Sequence, residues 1–325
     1  MIKAAITGGA GYNAGELLRI LLNHPDVEVA WVNSADNAGK RIDSVHQGLI
    51  GDTDLTFTDA LDWNGINILF CCTPHGETRA FLEKNTCLPH DLRIIDLSTD
   101  FRLEEPDNDF VYGLPELNRK KIVRGALHIA NPGCFATAIE LALLPLAQNN
   151  LIRSDIHVSA IIGSSAAGVK PTASTHFSWQ NDNISLYNPL RHRHLPEIRQ
   201  TLEHLQPDIK DYEINFIPMR GCFSRGIFAV TYLRCTRPLQ ELTRLYEEYY
   251  SDHRFTFVSD RTPDLKDIVN TNKCIIHLER VDDKLVITSV IDNLLKGAAG
   301  TAVHNMNLLF GLSELTGLKL KPSAY

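Results

Sequence analysis

The sequence predicts an α/β protein in two parts: a parallel, doubly wound sheet, then a mixed, mostly antiparallel sheet covered by helices. Three observations carry this. The first half alternates short apolar strands with helical stretches, a glycine-rich loop joins its first strand to its first helix, and the second half changes to longer strands at hairpin spacing. With 325 residues there is enough chain for two domains, each able to bury its own core. The expected division falls near Leu151, giving domains 1–150 and 151–296, with an apolar helical segment in 297–325.

Each element follows from local chemistry. Ala4 to Thr7 is a strand, and Glu16 to Leu22 is a helix that Pro25 ends. Val27 to Val32 and Ile66 to Cys72 read as buried strands, the second ending at Thr73-Pro74-His75-Gly76. A helix from about Glu77 to Lys84 leads to strands at Arg93–Leu97 and Leu127–Ala130. In the second half the strands are Val158–Ile162, Tyr212–Pro218, Ile227–Leu233, Cys274–Glu279 and Lys284–Val290, with a helix at Leu239–Tyr250. Val281-Asp282-Asp283-Lys284 has the spacing of a hairpin turn.

The net charge of −7 argues against a nucleic-acid or membrane-surface binder, and no apolar run approaches a membrane span. The opening residues read as a strand running into glycines rather than a signal peptide. The seven cysteines are scattered without a CxxC pair, so no metal site is expected and a cytoplasmic, reducing setting is.

The loop Gly8-Gly9-Ala10-Gly11-Tyr12-Asn13-Ala14-Gly15 fits a dinucleotide fingerprint in two registers: GxGxxA from Gly9, and Gly8, Gly11 and Ala14 spaced three apart. Either lets backbone turn tightly and approach a pyrophosphate at the start of the next helix. The second strand ends in Asn33-Ser34-Ala35 rather than in an acid. Ser34, Lys40 and Arg41 suit a 2′-phosphate, so NADP is favoured, although Asp36 stands close by.

Downstream, an apolar strand ends in Asn131-Pro132-Gly133-Cys134 and helix formers follow at once. This puts Cys134 at a helix start, where amide N–H groups and the helix dipole favour a thiolate. Arg191-His192-Arg193-His194 packs two imidazoles and two guanidiniums into four residues, fit for an anion and for acid–base work. Gly163-Ser164-Ser165-Ala166-Ala167-Gly168, with Lys170 after it, is a small-residue loop that allows close approach.

Together these motifs resemble the N-acetyl-γ-glutamyl-phosphate reductases, relatives of the aspartate-semialdehyde dehydrogenases. The resemblance rests on Gly11 to Leu17, Ala38-Gly39-Lys40, Asp96-Leu97-Ser98-Thr99-Asp100-Phe101-Arg102 and Tyr112 to Glu116. It continues through Asn131 to Cys134, His192 to Ile198, Arg225-Gly226-Ile227 and Asp292 to Ala299. It implies a Rossmann-type NADP domain completed by the C-terminal helix, an α+β catalytic domain, and a homodimer or homotetramer. The implied reaction is NADPH-dependent reduction of an N-acylglutamyl phosphate to its semialdehyde. Cys134 would carry the acyl group as a thioester, and His194 or His192 would be the acid/base. The resemblance also places Thr73, Pro74, His75, Ser164, Ser165, Gly168 and Asn293 at the cofactor. Ser98, Arg102, Asn131, Lys170, Arg193, Arg220 and Arg225, with Arg191, fall on the anionic substrate's side.

Three departures stand out. Ala35 follows Ser34 where the family often has Arg, Val169 replaces an Arg in the small-residue loop, and Pro218-Met219-Arg220 replaces Pro-His-Leu. A further cation at Arg220 raises an N-succinyl substrate as an alternative to N-acetyl. Aspartate-semialdehyde dehydrogenase is the nearest rival, but it pairs its cysteine with a glutamine, where this chain offers His-Arg-His. A cysteine hydrolase or acyltransferase needs no dinucleotide loop, and a nucleotide sensor has no use for Cys134.

Overall fold

The computed structural model describes residues 1–323, and the chain divides into two compact units. The first comprises Met1–Pro132 and Ala298–Lys319; the second comprises Gly133–Gly297 and the stretch from Leu320 on.

In the first unit, β1 (Ile2–Thr7), α1 (Tyr12–Leu21), β2 (Val27–Asn33), β3 (Phe57–Thr58) and β4 (Ile68–Cys71) come first. α2 (Thr78–Lys84), β5 (Arg93–Asp96), β6 (Val111–Tyr112), α3 (Pro115–Val123) and β7 (His128–Ala130) complete the alternation. The seven strands lie in the order β3-β2-β1-β4-β5-β7-β6, every neighbouring pair parallel. Burial on both faces explains the apolar runs Ala4–Ile6 in β1 and Ile68–Cys71 in β4. The order reverses beside β1, so the loop after β1 opens at the switch point where such sheets bind ligands.

The second unit begins with α4 (Cys134–Gln148), followed by β8 (Ile156–Ile162), α5 (Phe177–Gln180), β9 (Ser185–Leu186) and α6 (Leu195–Leu205). Then come β10 (Ile214–Arg220), β11 (Ile227–Arg234), α7 (Leu239–Tyr250), β12 (Thr256–Ser259), β13 (Cys274–Val281) and β14 (Lys284–Ile291). Its sheet runs β12-β13-β14-β11-β8-β10-β9; β8/β10 and β12/β13 are parallel and the other four pairs antiparallel. The expected hairpin closes with Val281 opposite Lys284, and Asp282 takes a left-handed turn at φ 53°.

The chain then forms a π-turn, Leu295–Ala299, and α8 (Gly300–Leu309), which packs on α1 and α3 in the first unit. The division expected near Leu151 falls instead at Pro132 and Gly133. The reason is α4: it is buried almost all round and packs on α6, β11 and β14. The final described residues join the second unit through Asn270 Nδ2 to the Lys321 carbonyl and Ser323 N–H to the Val269 carbonyl. Sequence patterning missed α3, α5 and α6 and the short strands β3, β6, β9 and β12. Among the described residues no helix is long and apolar enough to cross a membrane.

Candidate active site

The glycine loop is pressed between two strand ends. Gly8 has φ 68°, and a Cβ on it would lie 2.4 Å from the Cys72 carbonyl group. A Cβ on Gly9 would lie 2.4 Å from Val32 and 3.0 Å from the Asn33 oxygen. Gly9 N–H donates to that oxygen and Gly11 N–H to the Gly8 carbonyl, and Gly11 is the residue before α1. The first amides of α1 have no partner within their helix. A tight, glycine-rich turn delivering those amides has a geometry that a dinucleotide pyrophosphate would fit.

Ser34 Oγ accepts from Asn37 Nδ2 at 3.0 Å, and Lys40 Nζ donates to Asn37 Oδ1 at 3.2 Å, so both lie in one turn after β2. Arg41 does not share that turn's chemistry. Its guanidinium is held by Asp43, Asp54 and the Thr53 carbonyl. The loop Thr73, Pro74, His75, Gly76 is fixed from β5: Thr73 Oγ1 lies 2.6 Å from Thr78 Oγ1, which donates to Asp96 Oδ1, while Asp100 accepts from Gly76 and Arg79 N–H. Burial raises the Asp96 carboxyl above its usual range.

In the second unit Cys134 is the first residue of α4 and is partly exposed. Two glycines crowd it. A Cβ on Gly297 would fall 2.7 Å from Cys134 Cβ, and one on Gly133 would fall 2.5 Å from His194 Nε2 and 2.7 Å from Glu197 Oε1. These contacts bring the imidazole and the start of α4 together. Glu197 Oε2 accepts the Gly133 N–H at 3.1 Å, and its Oε1 lies 3.9 Å from His194 Nε2.

In the His-Arg-His run, His192 and His194 are buried while Arg191 and Arg193 face outward. The His192 ring lies edge-on to Phe135, Phe216 and Tyr187, and its Nδ1 accepts the His194 N–H at 3.2 Å. Burial, with the Arg193 charge second, pushes its pKa down to about 4. His192 is therefore neutral at pH 7, a wall that orients His194. Burial and the nearby Cys134 push the Tyr187 phenol up, so it is protonated.

Residues 3–124 match the family described as "Semialdehyde dehydrogenase, NAD binding domain", and residues 134–293 match "Semialdehyde dehydrogenase, dimerisation domain". Two curated proteins named N-acetyl-gamma-glutamyl-phosphate reductase, from Parabacteroides distasonis and Phocaeicola vulgatus, are 61% and 56% identical over the whole of both chains. The chain belongs to the N-acetyl-gamma-glutamyl-phosphate reductase family. Membership makes it an oxidoreductase with a nicotinamide-dinucleotide domain. The fold also matches aspartate semialdehyde dehydrogenase II of Vibrio cholerae, with TM-score 0.71, 18% identity and 96% and 98% of the two chains covered. The Candida albicans enzyme solved with NADP gives TM-score 0.73 at 14% identity, covering 95% and 98%.

Within this reductase fold several residues expected at substrate or cofactor are engaged with their own chain. Arg102 is buried, its Nε on the Asn131 carbonyl and its Nη2 on that of Leu97. Ser98 Oγ donates to Asp96 at 2.7 Å, and the buried Asn131 joins Ala298 and Asn305. These three brace the chain leading to Pro132. Asn293 Nδ2 donates to Ser165 Oγ and its Oδ1 accepts the Gly226 N–H. Ser164 and Ser165 N–H bind the carbonyls of Phe223 and Ser224, while Gly168 turns at φ 79° and Lys170 is exposed.

Arg225 donates to both oxygens of the fully buried Asp292, whose own carbonyl accepts the Gly297 N–H at 2.9 Å. Arg225 therefore steadies the turn that abuts Cys134. Arg220, at the end of β10, lies with its guanidinium 5.1 Å from the centre of the Tyr187 ring. Sequence reading gave no role to Glu197, Tyr187 or Gly297. Glu197 was legible as an acid three residues after His194, one helical turn on. Nothing local signalled the other two.

Proposed function

We propose that this protein reduces an N-acyl-γ-glutamyl phosphate to the N-acylglutamate semialdehyde with NADPH, through a thioester on Cys134. The observation that carries the reading is the grouping of Cys134, His194 and Glu197 at the start of α4. Full-length identity to proteins named for the N-acetyl reaction supports the substrate class.

His194 takes the thiol proton, and the α4 amides and helix dipole favour the thiolate. The thiolate attacks the acyl carbon, the C–O bond to phosphate breaks, and His194 returns the proton so that phosphate leaves as its monoprotonated dianion. Glu197 favours the charged imidazole during that interval. Gly8 to Ala14 would hold the dinucleotide, with Ser34 and Lys40 toward a 2′-phosphate, and when bound it would supply the hydride for reduction of the thioester to the aldehyde level. The C–S bond then breaks, giving the aldehyde and the thiolate, and a proton taken up from solvent returns the Cys134–His194 pair to its starting state. Arg193 and Lys170, outward-facing cations of the second unit, are assigned to the phosphate and α-carboxylate.

The test is to mix the protein with N-acetylglutamyl phosphate without NADPH and weigh it. The expected result is one N-acetylglutamyl group on the Cys134 peptide and none in Cys134→Ala. An adduct on another residue would remove the mechanism.

Arg220 favours a second reading of the acyl tail. Its buried Nε has no hydrogen-bond partner among the described residues, and its guanidinium stacks on the tyrosine beside Cys134. An acyl group ending in a carboxylate, such as succinyl, suits that position. N-succinylglutamyl phosphate would then be preferred, and Arg220→Leu would erase the preference; equal use of both substrates by the wild type removes this reading.

We also infer a homo-oligomer. Helices cover one face of the second sheet, while Ile161, Ile217, Phe228, Val230 and Tyr232 on the other stay partly exposed, an apolar face suited to a second copy. The cysteine pattern supports a cytoplasmic setting.

A further inference from the structure

His46 lies outside every motif considered so far, in the loop between β2 and β3. Its Nε2 lies 2.7 Å from the Gly9 carbonyl oxygen. A carbonyl can only accept, so Nε2 carries the proton and donates it. The ring also occupies space that Gly15 leaves: a Cβ on Gly15 would fall 2.7 Å from His46 Nδ1 and 2.9 Å from Cε1. On its other side the ring is tilted against Phe57, with centroids 6.2 Å apart. Gly15 sits inside α1, where glycine disfavours the helix relative to alanine, so packing accounts for it better than backbone freedom does.

The bond to Gly9 has a directional consequence. In a trans peptide the C=O and N–H point opposite ways. A Gly9 carbonyl turned toward His46 therefore turns the Ala10 N–H the other way. Released, the same peptide could rotate and present oxygen lone pairs to an incoming phosphate, which would repel it.

We propose that His46 is a positioning residue for the dinucleotide: it locks the Gly9–Ala10 peptide with its N–H outward and its carbonyl withdrawn, using the space that Gly15 leaves. This rests on the reading of Gly8 to Ala14 as the pyrophosphate loop.

The test is NADPH binding by nicotinamide fluorescence, with melting temperature and kinetics alongside. His46→Ala is expected to weaken NADPH about tenfold, the size of one lost hydrogen bond of ordinary strength. At saturating NADPH, kcat and the KM for acyl phosphate should stay within about twofold of wild type. His46→Gln, whose amide nitrogen reaches a similar position, should recover most of the loss, which a purely structural role would not predict. Gly15→Ala should weaken binding by displacing the ring, yet cost nothing more, and raise the melting temperature, when added to His46→Ala. Wild-type affinity in His46→Ala, no recovery in His46→Gln, or additive losses for the pair would each overturn the proposal. A wild type that does not bind NADPH would instead remove the dinucleotide reading on which it stands.

Discussion

Glu197 ties the start of α4 to His194: Oε2 accepts the N–H of Gly133, the residue before Cys134, and Oε1 lies 3.9 Å from His194 Nε2. One carboxylate thus binds the start of α4 and faces the imidazole proposed as the acid/base. The two roles separate on substitution. Glu197→Gln can still accept the Gly133 N–H but carries no charge, so kcat should fall roughly tenfold with substrate KM unchanged. Glu197→Ala loses both roles, and kcat should fall further, toward roughly a hundredfold, with a lower melting temperature. Equal kinetics in the two variants would show that only the charge matters.

Gly297 packs directly against Cys134. A Cβ there would lie 2.7 Å from Cys134 Cβ and 3.1 Å from its Cα, which no flexible side-chain tip can relieve. Gly297→Ala should displace Cys134 or the turn that follows Asp292, at a stability cost on the order of 1–3 kcal/mol. The direct check is the labelling rate of Cys134 by a disulfide reagent beside kcat. Both should drop, and unchanged labelling would show that the turn yields elsewhere.

His192 makes stability depend on pH. Burial lowers its pKa from the ordinary 6.5 to about 4, so the unfolded chain binds this proton more readily than the folded one. The contribution is fully present above about pH 6.5, shrinks as pH falls through that value, and is gone below about pH 4. Its size is on the order of 3 kcal/mol. Denaturant titrations from pH 7 to pH 4 should show that loss in the wild type and a shallower slope in His192→Phe. Parallel slopes would mean that the folded imidazole takes up its proton at the same pH as the unfolded one.

The longer strands were legible because their runs are apolar and regularly spaced, and so was the loop before α1, whereas the short edge strands β3, β6, β9 and β12 were not. Leu239–Tyr250 was expected with those bounds and is α7, since its apolar positions recur with helical period. α6 was not legible: it follows a histidine and opens Leu195-Pro196-Glu197, and tertiary packing of Ile198 and Leu202 makes it a helix. The division of the chain was misplaced for a similar reason. α4 reads as the last helix of an alternating pattern, and only packing assigns it to the second sheet. At the candidate site, residue types singled out Cys134 and the two histidines, and the structure places His194 at the start of α4. The arginines were harder, because charge announces an anion site and a brace alike. Arg102 proved to hold backbone carbonyls and Arg225 to hold Asp292.

The central claim is that Cys134 carries the acyl group while phosphate is exchanged. It is tested most directly in reverse: N-acetylglutamate semialdehyde, phosphate and NADP⁺ are supplied, and NADPH absorbance is followed. Without phosphate the wild type should produce no more than about one NADPH per Cys134, with phosphate it should turn over, and Cys134→Ala should produce none. NADPH formation by Cys134→Ala at a rate comparable to wild type would contradict the account.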